Sequence, residues 1–145
     1  MPLFWMRERM DTLDRLINGL CRMRSELSTY GISISDLMGL MKAEEMFSMV
    51  AECLEKSGPM AFSDSWKSNM KSFGNALTVR ELHALEGLGE ILGRYALEEQ
   101  IESLNAVLEL LTEGMNETKH KLKSVSRLYV GTSLSLSAML VVLLI

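Results

Sequence analysis

Leu97, Ile101, Leu104, Leu108, Leu111, Met115, Thr118, Leu122, Val125 and Tyr129 follow one another at steps of four and three, and the series runs into a tail that carries no charge after Arg127. Steps of four and three bring side chains onto one helical face, and their strict alternation is a heptad seam. The one polar step is Thr118. No proline interrupts the stretch, and the internal glycine, Gly114, costs about 1 kcal/mol, too little to break so long a pattern. A single helix from Leu97 to the end would be roughly 70 Å long at 1.5 Å per residue. Such a rod outruns a domain built from 145 residues, so part of it is expected to project.

The tail itself, 128–145, contains no charged residue, no Asn and no Gln. It would rise roughly 27 Å, close to the hydrocarbon thickness of a bilayer. Lys119, Lys121, Lys123 and Arg127 stand directly before it, with His120 among them; cations at one end of an apolar span mark the cytoplasmic side. A buried core helix is the competing reading, but it needs apolar neighbours all round, and the other helices are amphipathic. The expected organisation is a cytosolic helical domain over 1–126 and a transmembrane helix over 127–145. Within the span, Gly131 and Ser135, and Ser133 and Ser137, are spaced i, i+4. Small residues at that spacing let a second helix approach closely in lipid. The alternative is a lone anchor whose serines bond their own backbone.

The rest of the chain reads as shorter helices. Met6, Met10, Leu13, Ile17 and Leu20, then Met23, Leu27 and Tyr30, form the apolar stripe of a first helix from about Leu3 to Tyr30. Arg7, Glu8, Asp11, Asp14, Arg15, Arg22 and Glu26 fall off it. Gly31 ends the helix. Ser33 or Ser35 then caps a second helical region carrying Leu37, Met38, Leu40, Met41, Met46, Phe47, Val50 and Leu54, which Gly58 and Pro59 stop. Phe62, Trp66, Met70 and Phe73 mark a short helix closed by Gly74. Thr78 and Glu81 have capping-box spacing ahead of Leu82, Leu85, Leu88, Ile91 and Leu92. The predicted fold is therefore all-α: a compact antiparallel helical bundle whose long C-terminal helix continues into the membrane.

Composition narrows the function. With a net charge of −4 the chain lacks the basic excess of a protein that binds nucleic acid through phosphates. Cys21 and Cys53 have no partners at metal-ligand spacing and read as buried, reduced thiols. The opening "MPLFWMRERM" is too short in apolar residues for a secretory signal. Glu117 and His120 make one Glu-x-x-His, where a di-iron bundle needs two and two further glutamates. His83 has no nucleophile motif beside it and reads as structural. "GLGEILG" lies within a helical pattern and follows no strand, so it is no phosphate loop. No catalysis, no cofactor and no small-molecule substrate are expected. Of twelve methionines, Met6, Met10, Met23 and Met115 read as core. Met38, Met41, Met46, Met49, Met60 and Met70 read as core or as an adaptable partner surface.

At "LHALEGLGEILGRYALEEQIESL" and "RLYVGTSLSLSAMLVVLLI" the chain resembles the stage III sporulation protein AB family of endospore-forming bacteria. The resemblance includes Tyr30-Gly31 after the first helix, an apolar-acidic helix start at Ile34 to Leu37, and Gly58 ahead of a short helix with Trp66. It continues through Leu88, Gly89, Leu92, Gly93, Arg94, Glu99 and Gln100 to the apolar end at Val141 to Ile145. Two departures stand out. Only "PLFWM" stands where family members begin with a transmembrane helix, and Ser133, Ser135 and Ser137 replace most of the tail's family glycines. The resemblance implies a helical cytosolic domain similar to those of the type II secretion platform protein. It implies a place in the multi-protein channel joining mother cell to forespore, on the mother-cell side of the septum. It also implies a cytoplasmic ATPase from the same operon as a neighbour.

On these grounds the expected function is a non-enzymatic scaffold, anchored in the cell membrane, that docks the ATPase or other channel subunits. Its candidate surface is Gly89, Gly93, Arg94, Glu99 and Gln100, with Tyr30 and Gly31 across from them. The competing role for the glycines is helix termination and close helix packing. A second functional reading is a tail-anchored coiled-coil tether, expected as a largely unfolded monomer that zips with partner helices.

Overall fold

The computed structural model describes the backbone of residues 2–144 and the side chains of 3–125 and 127. Helix α1 runs over Pro2–Tyr30 and ends where Gly31, at φ 57°, donates its N–H to the Leu27 carbonyl. Ser33 caps α2 (Ile34–Met41), its hydroxyl accepting from the Asp36 N–H. The second helical region is two helices. A turn at Glu44 and a 3-10 segment at Glu45–Phe47 separate α2 from α3 (Ser48–Ser57). Gly58 and Pro59 then lead through a second 3-10 turn into α4 (Phe62–Lys71). A third, Gly74–Ala76, precedes α5 (Val79–Ile91), and α6 spans Leu97–Leu144. Among the described residues there is no strand. The all-α expectation holds.

The shorter helices wrap a pair of long ones. Helices α1 and α6 are antiparallel and keep one register along their length. Arg9 meets Thr118, Arg24 Nη1 donates to Asn105 Oδ1 at 2.9 Å, and Gly31 lies 3.7 Å from Leu97 at the Cβ position. Each step back along α1 is therefore matched by a step forward along α6, which puts Trp5 level with Leu122 and Lys123. Helix α5 packs in turn on α6, and α4 on α5. At 48 residues α6 is about 72 Å long. Its partner on this seam, α1, has 29, so α6 projects beyond the bundle.

The core is apolar and aromatic at its centre. Trp66 is fully buried, stacked on Phe47 at 5.7 Å and tilted on Phe62 at 5.5 Å, and its indole N–H donates to the Leu85 carbonyl at 2.7 Å. An aromatic cluster of this kind adds about 0.5–1.5 kcal/mol per ring pair beyond the area it buries. Leu13, Leu16, Leu20, Met23 and Leu27 of α1 are buried with it. Leu16 takes the deep position expected of Ile17, and Tyr30 stands out in solvent. Met38, Met41 and Met70 are core, whereas Met49 and Met60 are exposed. Both cysteines are only half-buried, a correction to the expectation of buried thiols.

The heptad seam does not wait for a partner chain. Leu104, Leu108, Leu111 and Thr118 are buried inside the bundle, against α1 and α5. A coiled coil open to other proteins is therefore not what this stretch forms. Among the described residues no helix is long and apolar enough to cross a membrane. The expected span at 128–145, with Gly131, Ser133, Ser135 and Ser137, lies outside the residues whose side chains are described.

Candidate functional site

All the candidate surface residues but Gly89 gather at the end of the bundle where α1 turns into α2 and α5 into α6. The local sequence accounts for both turns. Gly93 sits at φ 81° after α5, a backbone shape that side-chain-bearing residues rarely adopt, and Ile34 of α2 packs directly onto it. A Cβ at Gly93 would lie 2.8 Å from Ile34 Cγ2. Gln100 then ties the turn down: its Oε1 accepts from the Gly93 N–H at 3.2 Å and its Nε2 donates to the Tyr95 carbonyl at 2.7 Å. Gly31 sits against Leu97. Sequence reasoning placed Tyr30-Gly31 across from this turn, and the structure brings them there.

The named residues divide by role. Gly31, Gly93 and Gln100 shape the backbone. Tyr30, Arg94 and Glu99 are exposed and can meet a partner. Gly89 does neither. It is buried where α4 crosses α5, and a Cβ there would lie 2.8 Å from Trp66 Cδ1, so it serves close helix packing. Gly89 leaves the candidate surface. Two exposed neighbours, Tyr95 and Leu97, were not among the surface residues expected from the sequence. Together with Tyr30 they give this end an apolar and aromatic face. Asp36, Glu98 and Glu99 outnumber Arg94 around it. Glu98 and Glu99 also occupy the first turn of α6, where carboxylates complement the helix dipole. Farther along α5, Lys67 and Glu90 pair across the surface at 2.5 Å; the mutual hydrogen bond raises the lysine and lowers the carboxyl from their ordinary values.

The opposite end holds a polar cluster that sequence reasoning missed. Arg9 is buried, and every arm of its guanidinium is used. Its Nη1 and Nη2 donate to Glu81 Oε1 and Oε2 at 2.5 and 2.8 Å, Nη1 also to the Ala76 carbonyl at 3.1 Å, and Nε to Thr118 Oγ1 at 3.0 Å. Glu81 in turn completes the capping box, accepting from the Thr78 N–H at 2.9 Å. The Thr118 hydroxyl in turn donates a hydrogen bond to the Gly114 carbonyl at 2.7 Å. Gly114 leaves the space, since a Cβ there would collide with Glu81 Oε2. Burial alone would raise the Glu81 carboxyl, but the hydrogen bonds from Arg9 and Thr78 outweigh it and hold it below its ordinary value. Trp5 lies against Arg9 at 5.7 Å, and its Nε1 donates to the Asn75 carbonyl at 2.9 Å. With its charges paired and its donors satisfied, this cluster is a clasp between α1, α5 and α6. It has no open position for a ligand.

Among the described residues no three metal-ligating side chains come together. His83 and His120 are both exposed. The model of the stage III sporulation protein AB family matches residues 5–145. The chain belongs to that family. No curated protein and no solved structure matches it. The match begins at Trp5 and runs through both bundle ends, so clasp and turn alike lie inside the stage III sporulation protein AB region. What it supports is a sporulation-related protein.

Proposed function

We propose that this stage III sporulation protein AB family member is a non-enzymatic, membrane-anchored scaffold of the channel between mother cell and forespore. Its bundle docks a cytoplasmic ATPase or another channel subunit. The family match along residues 5–145 is the observation that carries this reading. The anchor is the uncharged stretch at 128–145, held on the mother-cell side of the septum with the bundle in the cytoplasm. The basic residues before it agree with that orientation.

The docking end is the one away from the anchor. Tyr30, Tyr95 and Arg94 are exposed there, and tyrosine and arginine are among the residue types that dominate interface energies. Acidic neighbours favour a partner surface that is basic around an apolar recess. Co-purification of the operon's ATPase with the full-length chain tests this, with Arg94→Glu and Tyr95→Ala as the variants. Recovery is expected to fall at least tenfold in each while the fold is kept. Equal recovery from both variants removes this end as the docking surface.

A further inference from the structure

The end of the bundle where α6 leaves it is exposed, apolar and basic at once. Phe4 is 72% exposed, Trp5 42% and Val79, the first residue of α5, 87%. The register of α1 on α6 sets Phe4 and Trp5 level with Leu122 to Ser124, and the clasp joining Arg9, Glu81 and Thr118 holds the start of α5 within about one helical turn of that height. Arg7, Arg80, Lys119, Lys121, Lys123 and Arg127 are all exposed at this end, against Glu8, Asp11 and Glu117. The opposite end is acidic. A chain of net charge −4 thus gathers six of its fifteen lysines and arginines at the end that exposes Phe4 and Trp5.

Trp5 is held for contact through its ring. Its indole N–H is already satisfied by the Asn75 carbonyl, and one face rests on Arg9, so the exposed part is apolar edge. A tryptophan in that setting, ringed by lysine and arginine, matches the chemistry of the bilayer interface, where indoles sit at headgroup depth and cations meet anionic lipid. From this geometry we infer that the basic end of the bundle seats on an anionic membrane surface, with Phe4, Trp5 and Val79 entering the headgroup layer. The inference rests on the anchoring proposed above and goes beyond it. Because α6 is one continuous helix, the tail alone would still let the rod tilt in the bilayer, whereas this contact limits the tilt and points the acidic end with Tyr30 and Tyr95 away from the membrane. Each lysine beside an anionic surface shifts such an equilibrium roughly fivefold.

The test uses the full chain reconstituted into vesicles of phosphatidylcholine with or without one-third phosphatidylglycerol, carrying bromine on the upper acyl carbons as a tryptophan quencher. Trp66 is fully buried, so the difference between wild type and Trp5→Phe isolates Trp5. Flotation with the vesicles reports the anchor separately. The expected result is flotation in both compositions, with Trp5 quenched in the anionic vesicles. That quenching falls to the phosphatidylcholine level in the triple variant Lys119→Glu, Lys121→Glu, Lys123→Glu. A protein that floats while Trp5 stays bright overturns this inference, leaves the anchor standing and gives the face to a protein partner. Equal quenching in both compositions overturns the choice of anionic lipid. Failure to float removes the anchor and this inference with it.

Discussion

At one end of the bundle, α1, α5 and α6 are joined through the side chains of Arg9, Glu81 and Thr118, buried and hydrogen-bonded. At the other, Gly31 and Gly93 turn the backbone and Gln100 ties it, with the tyrosines left in solvent. The clasp suits an end that must stay closed where α6 runs on alone, because a buried bidentate pair fixes the register of the helices it joins. The turn suits an end that presents surface, because backbone conformation there holds the shape and side chains remain free. Stability should accordingly be far more sensitive to the first end, and recognition to the second.

The largest loss is expected from Arg9→Met. It strands the Glu81 carboxylate in the interior, and breaking one half of a buried pair costs about 3–5 kcal/mol. Equilibrium denaturation of the chain in detergent measures it; a loss under 1 kcal/mol would mean that the clasp does not hold the end closed. Gly114→Ala should follow at about 2 kcal/mol. Alanine normally gains about 1 kcal/mol over glycine inside a helix, so a destabilising sign at this position can come only from the crowded Glu81 and Arg9 atoms. A stabilised variant would show that the clasp gives way freely.

Acid should act on the same end. The Glu81 carboxyl is held below its ordinary value of 4.5, so its contribution is complete above that value and is lost as the pH falls through the lower folded-state value. The denaturation midpoint is expected to be level from neutral pH down to about 5 and to drop below it. In Arg9→Met the drop should flatten, because burial, which opposes ionisation, has lost its main counterweight. Parallel acid limbs in the two proteins would show that other carboxylates set the acid transition.

The sequence made the turn end readable and hid the clasp, for a physical reason. Gly31, the Ser33 cap and the Gly58-Pro59 break are local devices, each working within a few residues of chain, and the Thr78/Glu81 box, equally local, was the one part of the clasp end that could be read. The clasp joins residues far apart in sequence, and Arg9 beside Arg7 and Glu8 looks like any solvated charge. A signal was present nonetheless. Arg9 stands three after Met6 and four before Leu13, inside the stripe; Glu81 stands four before Leu85; Thr118 is the one polar step of the seam. Three helices each with a polar residue at a core position must satisfy one another, since an unpaired buried charge is too costly to survive. The turn end was legible in its backbone but not in which residues it exposes. Its glycines announced a turn, but periodicity could not separate Gly89, which packs under Trp66, from Gly93, which turns the chain. Nor could it separate the exposed Leu97 from the buried Leu104, because the seam continues past the edge of what α1 covers.

The turn end should respond less, and in graded fashion. Gly93→Ala places a Cβ against Ile34 in a left-handed backbone, at about 1–2 kcal/mol. Gly31→Ala meets only ordinary contact from Leu97 and should cost about 1 kcal/mol for the backbone alone. Arg94→Glu is the limiting case. Its side chain is exposed, so its effect on the denaturation midpoint should stay within about 0.5 kcal/mol, although the charge changes by two. The comparison between the ends is sharpest at this residue: the substitution with the smallest expected effect on folding is the one expected to remove most of the partner. If Arg94→Glu instead loosened the bundle by as much as Gly93→Ala, the turn would depend on that guanidinium. Lost partner binding would then report an altered fold, and the division between a closing end and a presenting end would fail.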